Sequence, residues 1–459
     1  MRIILFDLDC LRPDHLGCYG YDRPTSPTMD AIARQGMRFT RYYCADSPCL
    51  PSRAGFVSGR LGFNNGVVSN IGAGAHFNIR TKPYGGPIPS QEMLMRRLRS
   101  IGYDTISFSN FADRHFGMWF MCGWSEFHTP NLKSGGETAE EVAAPVLRWL
   151  RHNAARENYL LHINYWDAHR CYKMDASWAD RFKDHPVTQT WPDEEEVKRQ
   201  AKEITGPFTA TGQFKNIFDS GGKSPFPLMP SAIQTRRDFD HMVTGYDSAI
   251  AYVDHHVKII LDELDRQGAL NDAVIIFTAD HGDAFGEHGI YSDHVCADEC
   301  IHRIPLIVRW PGVTKENREC SSLLYNVDLS ATLCDLLGAP IPEEWDGRSF
   351  AANLRGEPGL EREYLVWGHA LYTVQRAVRT RTRLMVRTYH HWQYRQFEPV
   401  ELYDMEKDPW QSRNIRDDDP TALRLCDHYL AEWEHEQRSK KRGIPDPFDL
   451  VLNERANVP

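Results

Sequence analysis

Short, mostly apolar runs recur along the first three quarters of the chain, at residues 3–6, 159–163, 273–277 and 304–308, and a further strand is predicted at 105–108. Runs that do not alternate with polar residues are typical of strands buried on both faces of a parallel sheet. The segments between them place apolar residues three or four positions apart, as in helices that pack on one face. This alternation predicts an α/β fold of the doubly wound class from residue 1 to about residue 340.

The helices are marked by their periodicity and by their first residues. The longest is predicted over roughly residues 236–267, where apolar residues recur at spacings of three and four until Gly268. Three further helix starts are predicted: at Ser26 before Pro27, at Ser90 before Leu94 and Leu98, and at Thr138, which forms a capping box with Glu141.

Two segments depart from this alternation of strands and helices. Residues 170–235 are polar and rich in proline and glycine, which predicts an insertion that either shapes a substrate pocket or is a solvated loop. After residue 360 come strand-like runs at 363–367, 383–388 and 400–403 and a helix near 420–438. We therefore predict an α/β unit at residues 1–345 and a small α+β subdomain at 346–459, an antiparallel sheet packed with a helix.

Composition narrows the class of function. The chain has 459 residues and a net charge of −10 without a basic block, which argues against a nucleic-acid partner. No apolar stretch reaches the length of a membrane span, and the opening run ends at Asp7, too early for a signal peptide. Eleven scattered cysteines without a Cys-x-x-Cys pair argue against disulfides and structural zinc. We expect a cytoplasmic protein; assembly into identical subunits stays open.

Polar residues follow the predicted strands, where an open parallel sheet binds its ligands. They are Asp9, Ser109 and Asn110, Asp167 and His169, and Asp280 and His281. Two carboxylates and an imidazole could bind one Ca²⁺, Mg²⁺ or Mn²⁺ ion. A helix cap and a surface histidine would also explain Asp280 and His281. Asp7 faces the same side of its strand as Asp9 and is a second-ranked candidate ligand.

The run of residues 49–60 predicts an anion site. Pro51 fits the first turn of a helix, which places Cys49 at the end where free N–H groups and the helix dipole favour an oxyanion. Arg53, one turn later, can donate two hydrogen bonds from its guanidinium to the same anion. A cysteine in such a place is expected to have an acidic, reactive thiol.

Residues 49–53, Cys-Leu-Pro-Ser-Arg, resemble the signature of the type I, formylglycine-dependent sulfatases of the alkaline-phosphatase-like superfamily. Residues 9–20, 278–289, 303–312 and 401–414 resemble further motifs of that family, in the family's order. The resemblance covers almost the whole chain. It implies a catalytic domain with a large mixed, mostly parallel sheet between helices, followed by the small C-terminal subdomain.

The resemblance implies a hydrolase that cleaves a sulfate ester, which we expect to belong to a small sulfated carbohydrate. Cys49 would be oxidised to formylglycine by a generating enzyme that binds transiently. One hydroxyl of the hydrated aldehyde would attack sulfur, and the other would later expel sulfate. One divalent metal, calcium before magnesium or manganese, would bind Asp9, Asp280, His281 and the modified Cys49. Arg53 would hold the sulfate, and the proton donor would be His169 or, second, His294.

The chain departs from the family pattern at three places. Cys10 stands where many sulfatases have a second aspartate. Residues 109–112 replace a Gly-Lys-Trp-His segment, and Asp293 replaces a lysine before His294. Two sulfate-binding lysines are therefore missing, and Arg114 or His115 could stand in for one.

These departures leave two other functions open. One is a phosphonate monoesterase or phosphodiesterase on the same framework, and the other is a non-catalytic binding protein. The aromatic and arginine-rich residues 389–395 line a sugar site or are ordinary surface strand residues.

Overall fold

A mixed eight-stranded sheet forms the centre of the molecule in the computed structural model, which describes residues 1–77, 93–210, 224–441 and 445–456. Its strands, in sheet order, are Arg318–Cys320 (β12), Met37–Phe39 (β2), Leu306–Arg309 (β11), Ala273–Thr278 (β8), Arg2–Leu8 (β1), Tyr159–Tyr165 (β7), Asp104–Phe108 (β5) and Glu126–His128 (β6). The pairs among β8, β1, β7, β5 and β6 are parallel, whereas β11 is antiparallel to β8 and β2. The predicted mixed, mostly parallel sheet is confirmed.

The central strand β1 sets the position of the polar residues. Ile3, Ile4, Leu5 and Phe6 are completely buried, because β7 and β8 pair with both edges of β1. The register aligns the carboxyl ends of the three strands, and the backbone N–H of Asp9 continues the ladder to Tyr165 O at 2.9 Å. Residues that follow these strands therefore meet at one edge of the sheet.

The helices that cover the sheet begin largely where the sequence predicts. Arg236–Arg266 (α8) begins with a capping box of Thr235 and Asp238 and ends one residue short of the prediction. Pro27–Arg34 (α1) has Ser26 at its N-cap, but the Ser26 side chain donates to Asp30 instead of capping. The N–H groups of Thr28 and Met29 donate instead to Asp254 on α8. A residue far away in sequence thus caps this helix.

The remaining elements connect these layers. The other helices are Cys49–Ser58 (α2), Gly62–Asn65 (α3), Leu94–Ser100 (α4), Phe111–His115 (α5), Ala139–Asn153 (α6), Glu194–Glu203 (α7), Glu299–His302 (α9), Asn326–Leu337 (α10), Ala351–Leu354 (α11), Pro420–Lys441 (α12) and Pro447–Ala456 (α13). Short 3₁₀ turns lie at Pro13–His15, Gly17–Tyr19, Gly72–Ala75, Met118–Met121, Ala176–Phe182 and Glu287–Gly289. Two-stranded ladders pair Tyr42–Tyr43 (β3) with Leu324–Tyr325 (β13), and Ala284–Phe285 (β9) with Tyr291–Asp293 (β10).

Some predictions fall on segments that the structure does not describe. The predicted helix start at Ser90 and residues 211–223 of the predicted insertion lie outside the described residues. The described part of the insertion contains α7 and the turn Ala176–Phe182. Among the described residues, no helix combines the length and the apolar character of a membrane span.

A second sheet forms the predicted C-terminal subdomain and includes one strand from the first part of the chain. In sheet order it consists of Val400–Asp404 (β17), Arg383–His390 (β16), Val374–Arg379 (β15), Leu365–His369 (β14) and Asp46–Ser47 (β4). The first four strands are antiparallel, and α12 packs on them through Trp433 in a separate apolar core. Strand β4 pairs in parallel with β14, two residues before Cys49. The C-terminal sheet therefore holds the start of α2 in place.

His288 links the second sheet to the loop after β8. Its Nδ1 lies 2.7 Å from Asp298, and its Nε2 lies 2.9 Å from the Tyr403 hydroxyl and 3.3 Å from Glu401. Burial lowers the pKa of His288, but the charges of Asp298 and Glu401 outweigh it and raise this pKa well above its usual value. Protonated His288 is thus a buried cation that pairs with Asp298 in the loop before α9 and with Glu401 on β17 of the second sheet.

We expect this link to make stability depend on pH. A raised pKa in the folded state stabilises the protein fully below the unfolded histidine pKa of about 6.5, and that stabilisation is lost as pH rises through the folded pKa. At pH 6, His288→Gln should lower the free energy of unfolding by about 3 kcal/mol, because two buried carboxylates lose their cation. Urea unfolding at pH 6 and pH 9 measures both effects. The exposed His435 on α12 provides a control, His435→Gln, which should change neither. Equal stabilities of wild type and His288→Gln at pH 6 would contradict the assignment.

Candidate active site

Four side chains from three parts of the chain converge at the carboxyl edge of the central sheet. Asp9 follows β1, Asp280 and His281 follow β8, and Cys49 is the first residue of α2. One ligand atom of each residue lies within 4.8 Å of the others, and all four side chains are buried. The structure thus brings together the four residues that the sequence analysis nominated as metal ligands.

Helix α2 is held against this edge by the serine of the Cys-x-Pro-Ser-Arg motif. The Ser52 hydroxyl donates to the backbone carbonyl of Asp280 at 2.6 Å. The Asn326 amide donates to the Ser52 carbonyl at 3.0 Å, and the Leu50 N–H donates to Asn70 Oδ1 at 2.9 Å. These contacts fix Cys49 beside the loop that carries Asp280 and His281.

The imidazole of His281 is oriented by its own loop. Its Nδ1 lies 2.8 Å from the carbonyl oxygen of Gly282, which can only accept, so Nδ1 carries the proton. The other nitrogen, Nε2, lies 3.2 Å from Cys49 Sγ and presents its lone pair to the four-residue site. Two carboxylates, one neutral imidazole and residue 49 therefore fit a hard divalent cation.

A second group of candidate ligands fits a cation less well. Cys10, His281, Asp283 and His294 also bring their ligand atoms within 4.8 Å of one another. The Nδ1 atoms that face Cys10 are already hydrogen-bonded, that of His281 to Gly282 O and that of His294 to Asp283 at 2.9 Å. Cys10 itself donates from Sγ to Asp9 at 3.2 Å, and burial raises the pKa of its thiol well above the usual value. Cys10 is therefore a neutral hydrogen-bond donor, unlike an aspartate.

Arg53 offsets the negative charge of the carboxylates at the carboxyl edge of the central sheet. Its Nε donates to Asp7 at 2.9 Å, and its Nη1 pairs with Asp9 at 3.1 Å and with Asp280. Asp7 also lies 3.3 Å from His162 Nε2, so it binds Arg53 and His162 and is not one of the four converging ligands. Arg53 Nη2 is buried and has no hydrogen-bond partner among the described residues. One donor of this guanidinium is thus left for a ligand.

The thiol of Cys49 is not acidic in this environment. Burial raises the pKa of Cys49 well above its usual value, and the charges of Asp9 and Asp280 raise it further. Arg53 and Arg114 act in the opposite direction but do not compensate. The expectation of a reactive thiolate was wrong, because the favourable helix terminus is outweighed by desolvation and two carboxylates.

The two candidate proton donors lie next to each other and differ in their hydrogen bonds. The ring centroids of His169 and His294 are 5.7 Å apart, and that of His294 is 4.2 Å from that of His281. His169 Nδ1 lies 2.6 Å from Arg170 O, and its Nε2 accepts from Arg114 at 3.2 Å. His294 is held at Nδ1 by Asp283, and among the described residues its Nε2 has no hydrogen-bond partner. The ring of His294 is the more available of the two.

Arg114 and His115, at the end of α5, also face the site. The Arg114 guanidinium lies 4.9 Å from the ring centroid of Trp166, which also lies 5.3 Å from the Arg53 guanidinium. Arg114 Nε and His115 Nε2 are buried and without a hydrogen-bond partner among the described residues. Sequence analysis offered both residues as substitutes for a missing lysine without a means to place them. It did not find Trp166, whose only sequence signal is its position one residue after β7.

Asp293 has a cation of its own where the family pattern has a lysine. It forms an ion pair with Arg170, whose guanidinium also donates to Ser292 O at 3.3 Å. Asp167, which was grouped with the site residues, instead accepts from the backbone N–H of Ala139 at 3.1 Å. It supports the start of α6 and does not join the four-residue group.

Comparisons with known proteins show what the chain as a whole is similar to. The sequence profile of the family described as Sulfatase matches residues 3–339, and that described as N-sulphoglucosamine sulphohydrolase, C-terminal, matches residues 286–436. The chain is similar to an N-acetylglucosamine-6-O-sulfatase of Bacteroides thetaiotaomicron, with 22% identity over 98% of this chain and 88% of that protein.

Solved structures show the same fold. One is a protein in complex with its substrate D-glucosamine-2-N,6-O-disulfate, with a TM-score of 0.73, 19% identity and coverage of 97% of this chain and 99% of the other. Another is a phosphonate monoester hydrolase of Agrobacterium radiobacter, with a TM-score of 0.69, 20% identity and coverage of 96% and 95%.

We expect a divalent cation to bind in the group of Asp9, Cys49, Asp280 and His281. At a concentration one hundred times its Kd, Ca²⁺ should stabilise the fold by about 2.7 kcal/mol, which thermal unfolding measures as a rise in Tm. Asp280→Asn should abolish that rise, because it removes a charged ligand. Asp283→Asn is the matched control and should retain it. The reverse result would place the cation in the group that contains Cys10 and His294.

Proposed function

Because the chain belongs to the sulfatase family, we propose that it hydrolyses the sulfate ester of a small sulfated carbohydrate, with a formylglycine made from Cys49 and one divalent cation. The observation that carries this proposal is the convergence of Cys49 with Asp9, Asp280, His281 and Arg53 in one buried group. The names of a similar N-acetylglucosamine-6-O-sulfatase and of the substrate complex support a carbohydrate sulfate as the substrate class.

Each absent group would supply a defined chemistry. Formylglycine carries an aldehyde whose hydrate has a hydroxyl nucleophile and a second hydroxyl, which a cysteine side chain lacks. A divalent cation, for which calcium is our first choice, supplies positive charge beside residue 49 and the sulfate oxygens. The neutral, high-pKa thiol of Cys49 supports the proposal, because the unmodified residue is a poor nucleophile here.

The residues of the chain itself provide an oxyanion site. Arg53 Nη2, Arg114 Nε and His115 Nε2 are three buried nitrogens without partners among the described residues. Buried polar nitrogens without partners are costly. The oxygens of a sulfate group would accept from the two guanidinium nitrogens, and from His115 in the tautomer that carries its proton on Nε2. Asp7, which also contacts His162, accepts from Arg53 Nε and holds the guanidinium, so its free nitrogen is oriented before the substrate binds.

The proton for the leaving alcohol would come from His294 or His169 in its doubly protonated form. Burial and neighbouring positive charges lower the pKa of both rings well below its usual value, so the ring that acts must first take up a second proton at Nε2. The hydrogen bonds favour His294, because Asp283 holds its Nδ1 and orients Nε2, as a carboxylate orients the imidazole in other acid–base pairs. His169 remains the alternative, and its Nε2 would first have to lose its contact with Arg114. The roles of both residues are proposals.

The other functions have weaker support. The fold is shared with a phosphonate monoester hydrolase, so hydrolysis of phosphonate monoesters or phosphodiesters is the alternative activity. A non-catalytic binding protein does not explain why Cys49 and the charged residues around it converge. All eleven cysteines are free thiols in the structure, which supports our proposal of a cytoplasmic enzyme that meets its formylglycine-generating enzyme transiently.

We expect the converted enzyme to hydrolyse glucosamine 6-sulfate faster than an aryl phosphodiester. Cys49→Ala should abolish sulfate release, because it removes the side chain that becomes the nucleophile, and chelation of divalent cations should strongly reduce it. Cys122→Ser, at an exposed cysteine, is the control and should leave the rate unchanged. The mass of the peptide that contains residue 49 reports its conversion. Faster phosphodiester turnover, or full activity with an unmodified Cys49, would overturn the proposal.

Arg114 provides a second test of the anion site. Arg114→Gln should lower kcat/KM for the sulfate ester about 30-fold and weaken inhibition by inorganic sulfate, because a charged hydrogen-bond donor is lost. Arg114→Lys should recover part of the loss. The exposed Arg99 on α4 offers the control Arg99→Gln. Unchanged sulfate inhibition in Arg114→Gln would remove Arg114 from the binding site.

A further inference from the structure

Three aromatic rings from distant parts of the chain form a continuous strip. The ring centroids of Phe208 and Tyr372 are 5.3 Å apart, and those of Tyr372 and Trp392 are also 5.3 Å apart. Phe208 comes from the insertion before α8, Tyr372 from the turn between β14 and β15, and Trp392 from the loop after β16. The C-terminal subdomain therefore contributes two of the three rings.

The inner end of this aromatic strip lies at the active site. The Arg170 guanidinium lies 4.2 Å from the ring centroid of Phe208 and pairs with Asp293, next to His294. Burial raises the pKa of the Tyr372 hydroxyl, the charge of Arg170 opposes this, and Cys49 also contributes. Arg170 thus connects the inner end of the strip to Asp293, the neighbour of His294.

The outer end of the strip is exposed and held in a fixed position. Trp392 is 37% exposed, and its φ of +51° is a left-handed conformation that a bulky residue rarely adopts. Its backbone N–H donates to His390 Nδ1 at 3.0 Å. Arg455 on α13 donates to the carbonyl oxygens of Leu371 and Tyr372, so the turn beneath the ring is also supported. Trp392 is therefore a positioned, solvent-facing ring.

From this geometry we propose that Phe208, Tyr372 and Trp392 form a platform on which a sugar ring of the sulfated substrate stacks. The apolar C–H face of a pyranose can cover an aromatic ring, while the hydroxyl groups around its rim stay in contact with water. The proposal rests on the proposed hydrolase function. It names the residues that would contact the sugar ring, two of which belong to the C-terminal subdomain.

Tyr389 distinguishes the platform from ordinary surface aromatics in the same stretch. It is 38% exposed, almost the same as Trp392. Its ring packs edge-on against Phe448 at 6.2 Å, and its hydroxyl donates to Glu434 at 3.2 Å. Tyr389 therefore belongs to the contact between β16 and the C-terminal helices and serves as a matched control.

The test compares two sulfate esters in the full, formylglycine-containing chain. A sulfated disaccharide offers a sugar ring to the platform, whereas 4-nitrophenyl sulfate offers only the sulfate and a small aryl group. Trp392→Ala should raise KM for the disaccharide about 10-fold and leave kcat/KM for the aryl ester within about twofold. Trp392→Phe should recover most of the loss. Tyr389→Ala should change neither ester.

Each possible result tests the proposed platform independently of the proposed hydrolase function. Equal losses on both esters, or no loss on the disaccharide, would overturn the platform while sulfate release still supports the hydrolase. If the converted enzyme hydrolyses neither ester, the proposed function fails. Quenching of tryptophan fluorescence by the disaccharide then tests the platform alone. Quenching that disappears in Trp392→Ala supports it, and its absence in the wild type refutes it.

Discussion

The ion pairs of Arg53 with Asp7, Asp9 and Asp280 are the interaction on which the arrangement of the site depends. Three buried carboxylates at one edge of a sheet repel one another, and burial already raises the pKa of Asp280. Arg53 lies on the first turns of α2, so the same cation that offsets this repulsion brings Cys49 to the sheet edge. The motif Cys-x-Pro-Ser-Arg therefore sets the packing of α2 as well as the chemistry of the site. Pro51 lies in the first turn of the helix, Ser52 binds the Asp280 carbonyl, and Arg53 offsets the negative charge at the sheet edge.

The second sheet completes this constraint from the other side. Strand β4 ends two residues before Cys49 and pairs with β14, so the C-terminal subdomain fixes the entry into α2. His288, in the turn after β9, makes a further charged contact with the second sheet through Glu401, and it also pairs with Asp298 in the loop before α9. The second sheet also reaches the insertion next to the site: the ring centroid of Tyr372, from the turn between β14 and β15, lies 5.3 Å from that of Phe208, and the Arg170 guanidinium lies 4.2 Å from the Phe208 ring centroid.

Local signals in the sequence were enough to predict five of the eight strands of the central sheet, the long helix and the candidate ligands Asp9, Asp280 and His281, whereas Cys49 joined that set through the resemblance to the sulfatases. Buried strands read as apolar runs, and the polar residues after β1 and β8 have no packing reason to be there. Contacts between distant residues left no such signal. Asp254 caps α1 from a distant helix, and β4 is only two residues long. The strand Val374–Arg379 was missed because its sequence, Val-Gln-Arg-Ala-Val-Arg, is neither an apolar run nor a regular alternation, although all six residues are buried. The prediction of an acidic Cys49 thiol was wrong for the same reason, since the carboxylates that raise its pKa come from distant parts of the chain.

The departures from the family pattern change the charges of the site in ways that offset one another. Neutral Cys10 removes a negative charge beside Asp9 and leaves less carboxylate charge for a cation and Arg53 to balance. The missing lysines remove positive charge, and Asp293 adds a negative one that Arg170 neutralises. Arg114, which rests on Trp166 and has no carboxylate partner among the described residues, is then the positive charge left beside Arg53. A planar guanidinium held by an aromatic ring keeps its direction better than a lysine on a flexible stem. The site therefore has oriented cations in place of flexible ones, which favours the binding of an anion in one orientation.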